Sequence, residues 1–363
     1  MNNTFKVLTL CSSVALLLGT AQVAHAHAGF KDSTINETAV NGPIPAMKTY
    51  SAINIGHGCK TNTSAEGTVG SKEKDVIAIS VLFPSYLNVA DVIFRGSKGP
   101  VALTGTETTI TDFSAYLTGS TSTKPSSIAP TPLTQNNMFV NTTNIWDEKN
   151  NIRGFRSWAG PTPFKGPVLL ESALKSNPAD GTMTTAGQAP FSIPAIQFKP
   201  DSCAKTLKIR VAVADWCMSG SKNNADPSRV DVWIGSKTAL FNDDAVMPNP
   251  SSNPNPIFWP TLNVNRDLAL NPLPGTKGFN PLKIATNGGV IDRTVAGWEV
   301  TPASGTTPAV TSTKVSCSDA TDYDTIYIEP SNADIDKYLP IPKDAFPKGS
   351  NGVIYWPTKS ANF

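Results

Sequence analysis

The chain has 363 residues, with 30 Lys and Arg against 28 Asp and Glu and only 16% charged residues. So even a balance argues against nucleic acid or an anionic membrane as the main partner. Hydrophobic residues make up 39%, beside 26 Gly and 30 Pro, which suits a turn-rich chain that buries one large β core or two smaller ones.

In chain order, residues 1–26 read as a secretory signal peptide. Lys6 stands ahead of an apolar run centred on Val14-Ala15-Leu16-Leu17-Leu18, and Ala24-His25-Ala26 forms a small-residue cleavage site. Cleavage after Ala26 makes His27 the new amino terminus, followed by Ala28-Gly29-Phe30. Cleavage after Ala28, in Ala26-His27-Ala28, removes it instead. Residues 31–45 and 120–135 are rich in Ser, Thr, Pro and Asn and read as loops or extended edges. Strands are expected at 76–83, ending before Pro84, at 207–213, where apolar and charged residues alternate, at 230–234, ending at Gly235, and at 325–328. The Pro/Asn-rich stretch at 247–256 is the candidate linker. No run at helical period is long enough to predict a helix, and no repeat at a fixed period stands out. The expected fold is an all-β sandwich with long insertions, over 27–246, followed by a β-rich extension of open role at 247–363. No later stretch is long and apolar enough to span a bilayer, and the leader cleaved after Ala26 makes the expected location periplasmic, secreted or at the cell surface.

Of the five cysteines, Cys11 lies in the leader. Cys59, Cys203, Cys217 and Cys317 remain, an even set that favours two disulfides in an exported chain, with three connectivities open. No Cys-x-x-Cys pair supports a zinc ribbon or a thioredoxin-like motif. Two histidines outlast cleavage, His27 and His57, so a multi-His zinc site cannot be built and a Ser-His-Asp triad would have to use His57. A terminal His offers its free amine and imidazole Nδ1 together, closing a chelate ring on one metal ion. A nitrogen-rich tetragonal set suits Cu(II), which heads the divalent affinity series. His57 lies in Ile55-Gly56-His57-Gly58-Cys59, a Gly-flanked turn that admits positive φ and close backbone approach. Met47 and Met218 offer thioethers to Cu(I), although buried filler is the commoner role. Asp215 reads as a solvated surface carboxylate, and Trp158, Trp216 and Trp233 as core or interface aromatics. Gly67-Thr68-Val69-Gly70-Ser71 is a turn rather than a phosphate loop, because no Lys-Ser/Thr follows.

Three segments carry a resemblance to the YcnI-like periplasmic copper-binding proteins. They are Ala26-His27-Ala28-Gly29-Phe30; Ala52-Ile53-Asn54-Ile55-Gly56-His57-Gly58-Cys59 with the strand ending Leu82-Phe83-Pro84; and Ser157-Trp158-Ala159-Gly160 with Asp215-Trp216-Cys217 and Trp233 downstream. The likeness covers roughly 27–236, interrupted by insertions. It implies an immunoglobulin-like β-sandwich and a Cys59–Cys217 bridge, which leaves Cys203–Cys317 as the second. It also implies a copper ion held by the terminal amine and imidazole of His27, a histidine brace, with Trp158 or Trp233 beside the metal. The family completes its ligand set with a carboxylate before an apolar strand. Here Gly187-Gln188-Ala189-Pro190 precedes Phe191 and carries no acid, so Glu171 is the nearest counterpart and His57 the alternative third ligand.

The expected function is therefore that of an exported copper carrier, buffer or delivery factor rather than an enzyme. Its partners would be the ion and another periplasmic copper chaperone or a copper enzyme. The alternatives are a surface structural or assembly protein without metal chemistry, which the low charge and the unmatched C-terminal third would suit, and a copper-dependent polysaccharide monooxygenase, which a flat surface of exposed aromatics near His27 would favour.

Overall fold

The computed structural model describes residues 28–37, 48–55, 75–84, 92–98, 107–120, 128–133, 139–159, 187–218, 229–235, 237–241, 259–268, 271, 273–274, 285–286, 289–290, 298–301, 310–313, 317 and 322–341. The strands are β1 (Gly29–Phe30), β2 (Thr34–Asn36), β3 (Thr49–Ile55), β4 (Asp75–Leu82), β5 (Val92–Ser97), β6 (Thr108–Thr109), β7 (Thr131–Pro132), β8 (Phe139–Trp146), β9 (Ile152–Ala159) and β10 (Gly187–Ile193). They continue with β11 (Thr206–Arg210), β12 (Ala212–Met218), β13 (Arg229–Trp233), β14 (Thr261–Asn265), β15 (Ala285–Thr286), β16 (Gly289–Val290), β17 (Trp298–Thr301), β18 (Val310–Thr313) and β19 (Thr325–Pro330). Among the described residues the only α-helix is α1 (Asn332–Tyr338). The fold is all-β, as expected.

Three larger sheets form, in the orders β1-β3-β10-β7, β2-β14-β11-β19-β5-β6 and β13-β12-β4-β9-β8, beside the ribbons β15-β16 and β17-β18. One core joins all three. Ile53 and Phe191 enter it from the four-stranded sheet, Ile209 and Ile328 from the six-stranded sheet, and Val81 and Trp233 from the five-stranded sheet. A second cluster covers the opposite face of the five-stranded sheet, with Ala78, Leu82 and Trp216 beneath Ile335, Leu339 and Ile341. Central β4 is therefore buried on both faces, and this explains why its sequence is a nearly continuous apolar run rather than an alternation.

The apolar-charged stretch 207–213 is not one strand. It breaks at Val211, whose N–H donates to the Pro260 carbonyl at 3.0 Å. β11 then belongs to the six-stranded sheet and β12 to the five-stranded one. A chain that changes sheets at a corner ties two layers of the same core together. Strands from beyond residue 247 flank β11 on both sides, β14 antiparallel and β19 parallel, so they build the same sheet as strands from before it. The stretch 247–256 lies outside the described residues.

Helix α1 is seven residues long, too short to persist alone. The Ser331 side chain caps it by accepting the Asp334 N–H at 3.2 Å. Its C-terminal end is fastened to the sheet below. Ser80 donates to the Leu339 carbonyl at 2.6 Å, and Arg156 donates to the carbonyls of Tyr338 and Pro340 at 3.0 and 2.8 Å. Two turns give too little periodicity to betray a helix in the sequence.

Strand β9 crosses β4 with Gly154 opposite Leu82. A β-carbon at Gly154 would overlap the Val81 carbonyl oxygen, a backbone atom that cannot swing aside. Gly154→Ala is accordingly expected to destabilise the fold by about 1–3 kcal/mol, read as a lower denaturant midpoint. An unchanged midpoint would show that β4 and β9 separate without cost.

Candidate functional site

Residues 28–37 form a strap across two sheets. β1 pairs antiparallel with β3, Gly29 against Asn54 and Phe30 against Ile53. β2 pairs parallel with β14 in the six-stranded sheet. Between them the Lys31 N–H donates to the Ala52 carbonyl at 2.9 Å and the Asn263 N–H to the Ser33 carbonyl at 2.8 Å. At the start of the strap Ala28 is buried in the main core. Phe30 meets Phe83 and Phe191 edge-on at 6.5 and 5.9 Å between ring centroids, a favoured aromatic geometry. Gly29-Phe30 thus lies in extended backbone, held on one side by β3 and beneath by aromatic rings.

The far end of the strap is closed by Glu37, which is buried. Its Oε2 accepts the Phe198 N–H at 2.9 Å and an Asn271 side-chain N–H at 3.1 Å, and its Oε1 accepts the Asp267 N–H at 2.8 Å. Burial pushes the Glu37 carboxyl above its ordinary range, outweighing these three hydrogen bonds and the charge of Arg266. Arg266 in turn donates to the Asn271 carbonyl at 2.7 Å and to the Pro200 and Ala204 carbonyls at 3.1 and 3.3 Å. Burial lowers that guanidinium to about 10. Cys203, within the same loop, is disulfide-bonded to Cys317, with the two Cα atoms 5.5 Å apart. This is one of the two bridges that the resemblance implies.

The other expected site residues divide by position. His27, His57, Cys59 and Glu171, with Met47, lie outside the described residues. Cys217 is in β12, with Val76 and Arg229 as its register partners, and the β4–β12 register slips between Trp216 and Cys217. Trp158, in β9, lies opposite Ala78, and Trp216 lies opposite the same Ala78 from the other side. Trp233 is a core residue, 1% exposed. Its indole N–H donates to Asp215 Oδ2 at 3.1 Å.

Asp215 corrects the sequence reading. Expected on the surface, it is 4% exposed, because its strand is central and its face of the sheet turns toward the main core. A buried carboxylate needs donors, and the Trp233 indole is one. The same correction applies to the alternating strand at 207–213. Arg210 sits on the face expected to meet water, yet it is buried between Glu107 and Glu329, at 2.6 and 2.7 Å. Arg95 also reaches Glu329, at 2.9 Å. An isolated alternation cannot reveal that its polar side is covered as well.

Among the described residues no group of three or more His, Cys, Asp or Glu side chains is placed to hold a metal ion. None of their helices is long and apolar enough to cross a membrane. No family model, no curated protein and no solved structure matches the chain.

Proposed function

We propose that the protein is an exported copper-binding protein of the YcnI-like kind, an immunoglobulin-like sandwich that carries, buffers or delivers copper outside the cytoplasm. Cleavage after Ala26 frees the amine of His27, and amine and imidazole then chelate Cu(II). His57 or Glu171 supplies a further ligand, and the recipient is a periplasmic chaperone or a copper enzyme.

The observation that supports this reading is the pairing of β1 with β3. The two strands pair Gly29 with Asn54, and the next residue outward on each, Ala28 and Ile55, is buried in the main core. His27 is one peptide beyond Ala28 and His57 two beyond Ile55. The described backbone that leads in sequence to each histidine, Ala28 for one and Ile55 for the other, therefore belongs to one strand pair. The residues that would lead to the metal are therefore fixed by ordered backbone, which is what a chelating terminus needs for a single geometry. The Cys203–Cys317 bridge suits an oxidising compartment.

Both donors of the brace must be deprotonated to bind. Ordinary values of about 6.5 for imidazole and about 7.7 for an α-amine then set the pH dependence. Below about pH 6.5 two protons compete with each copper ion, so the affinity is expected to fall about a hundredfold per pH unit. Competition titration of Cu(II) against a chelator, on correctly processed protein from pH 5 to 8, checks this. A pH-independent affinity would contradict a brace, and no tight copper at any pH would favour a surface structural protein.

A further inference from the structure

We infer that the outer face of the four-stranded sheet, around Tyr50, binds a neutral polysaccharide. This role is separate from copper binding and does not depend on it.

Strand alternation defines the face. Ile53 of β3 and Phe191 of β10 point into the main core, so their neighbours along each strand point the other way. The register sets those neighbours in three rows: Tyr50 beside Ser192, Ala52 beside Pro190, and Asn54 beside Gln188. Tyr50 is 62% exposed. Ala52 is buried yet belongs to neither core cluster, so it lies low between taller neighbours on the face. Asn54, Gln188 and Pro190 are half-buried. The row of Asn54 and Gln188 continues across β3 to Gly29 in β1. A β-carbon at Gly29 would meet nothing within 4 Å, so the space at that end is open.

Such a surface suits a sugar chain. At a rise of about 3.3 Å per residue, Tyr50 and Asn54 stand about 13 Å apart along β3, room for a short run of pyranose rings. The Tyr50 ring offers a flat π face to the axial C–H groups of one sugar, and its hydroxyl gives that platform a polar tip. At the other end two side-chain amides lie in register. Each carries one carbonyl acceptor and one N–H₂ donor, which is what a row of hydroxyl groups needs. Ala52 and Pro190 leave a low apolar floor between the two ends.

Charge and size select the occupant. The four strands of this sheet contain no Lys, Arg, His, Asp or Glu. Charges enter only outside them, as Lys31 and Asp32 after β1 and Lys48 before β3. A nucleic acid, an acidic glycan or a charged peptide would find no complementary charge on these strands. Three strand spacings of about 4.8 Å across and about 13 Å along give roughly 190 Å². A stable protein interface needs roughly 800 Å² from each partner, so a second copy of the chain has too little to hold it here. A narrow, neutral, hydroxyl-bearing chain fits both limits.

The test is affinity electrophoresis of the full, correctly processed protein, with and without Cu(II). The native gels contain hydroxyethylcellulose, mixed-linkage β-glucan or galactomannan as neutral probes, and carboxymethylcellulose as the charged one. A neutral gel is expected to retard the wild type. Tyr50→Ala should weaken that binding about tenfold, the scale of losing one aromatic contact with its buried area. Its thermal midpoint should stay near that of the wild type, because an exposed side chain contributes little packing. Tyr50→Phe keeps the ring and should bind nearly as the wild type does. Trp146, 51% exposed and at the end of β8 in the five-stranded sheet, is the control for unspecific stacking, and Trp146→Ala should leave retardation unchanged. No retardation in any neutral gel, retardation by carboxymethylcellulose alone, or Tyr50→Ala binding no worse than Trp146→Ala would overturn the glycan face. Retardation that requires Cu(II) would overturn it too, since the metal would then be the binding group. Retardation by a protein that holds no tight copper would leave the glycan face standing and remove the copper reading alone.

Discussion

Arg210→Ala is expected to lower the unfolding free energy by about 3–5 kcal/mol, the cost of stranding buried charge by deleting one partner of an ion pair. Arg210 is 4% exposed, and both of its partners are as deeply placed, Glu107 at 8% and Glu329 at 3%. Its two terminal nitrogens bind one carboxylate each, and its guanidinium lies over the Tyr327 ring at 4.5 Å. Deletion would take from Glu107 its guanidinium hydrogen bond, leaving it the charge of Arg95, and would leave Glu329 paired with Arg95. Burial works against the charge on Arg210, but Glu329 and Glu107 outweigh it and raise the guanidinium above its ordinary value. Burial likewise opposes ionisation of Glu107, and the Arg210 hydrogen bond and charge overcome it, so that the carboxyl is held below the ordinary range. A carboxyl depressed in the folded state contributes stability that is complete above its unfolded value of about 4.3 and disappears as the pH falls through the folded one. The wild type should therefore lose part of its stability below about pH 4.3, and Glu107→Gln should flatten that part of the profile. Urea melts between pH 2.5 and 7 measure both. A midpoint for Arg210→Ala within error of the wild type would show that water already reaches the network.

Removing the Cys203–Cys317 bridge has the next largest expected effect. The two residues are 114 apart in sequence. In the chain-entropy account, a cross-link closing about 100 residues contributes about 4.7 kcal/mol, and native disulfides in practice about 2–5 kcal/mol. The bridge also holds the loop whose carbonyls receive Arg266, so its loss should spread to the polar cluster around Glu37. A Cys203→Ser/Cys317→Ser double variant, or the wild type under reductant, should unfold at a clearly lower denaturant concentration, with quicker amide exchange at Phe198 and Asp267. Coincident unfolding curves with and without reductant would show that the bridge adds no constraint to the unfolded chain.

The parts of the fold that could be read from the sequence are those governed by local pattern. The strands at 76–83, 230–234 and 325–328 were legible because β-branched and aromatic residues run between turn residues, and they appear as β4, β13 and β19 with ends shifted by a residue or two. The break at Val211 was not legible. An alternation continues unbroken through a corner, and only the partners on each side, β14 and β19 for one half and β4 and β13 for the other, decide which sheet each half joins. The short helix α1 was hidden for a related reason, since two turns carry only a few apolar positions and their meaning comes from the sheet beneath.

The candidate site divides in the same way. A histidine behind a cleavage motif, and another in a Gly-flanked turn, declare themselves by residue type. Glu37, Asp215 and Arg210 do not, because a charged residue in a sequence looks solvated until the donors or opposite charges that accompany it are known. The Asp267 and Phe198 amides that hold Glu37 are more than 150 residues away in the chain, and no local signal links them. The one available hint at Arg210 was its place next to a run of apolar residues, Val211-Ala212-Val213-Ala214, which draws its neighbours into the interior.

The central claim is tested most directly by an EPR titration with Cu(II) on protein exported by a cell, its amino terminus established by intact mass, beside the same chain carrying one extra residue ahead of His27. The account predicts a one-to-one, nitrogen-rich signal that the extra residue abolishes, because the terminal amine and the imidazole would no longer belong to one residue and the chelate ring could not close. Weak and variable spectra from both proteins, or identical tight signals from both, would contradict it.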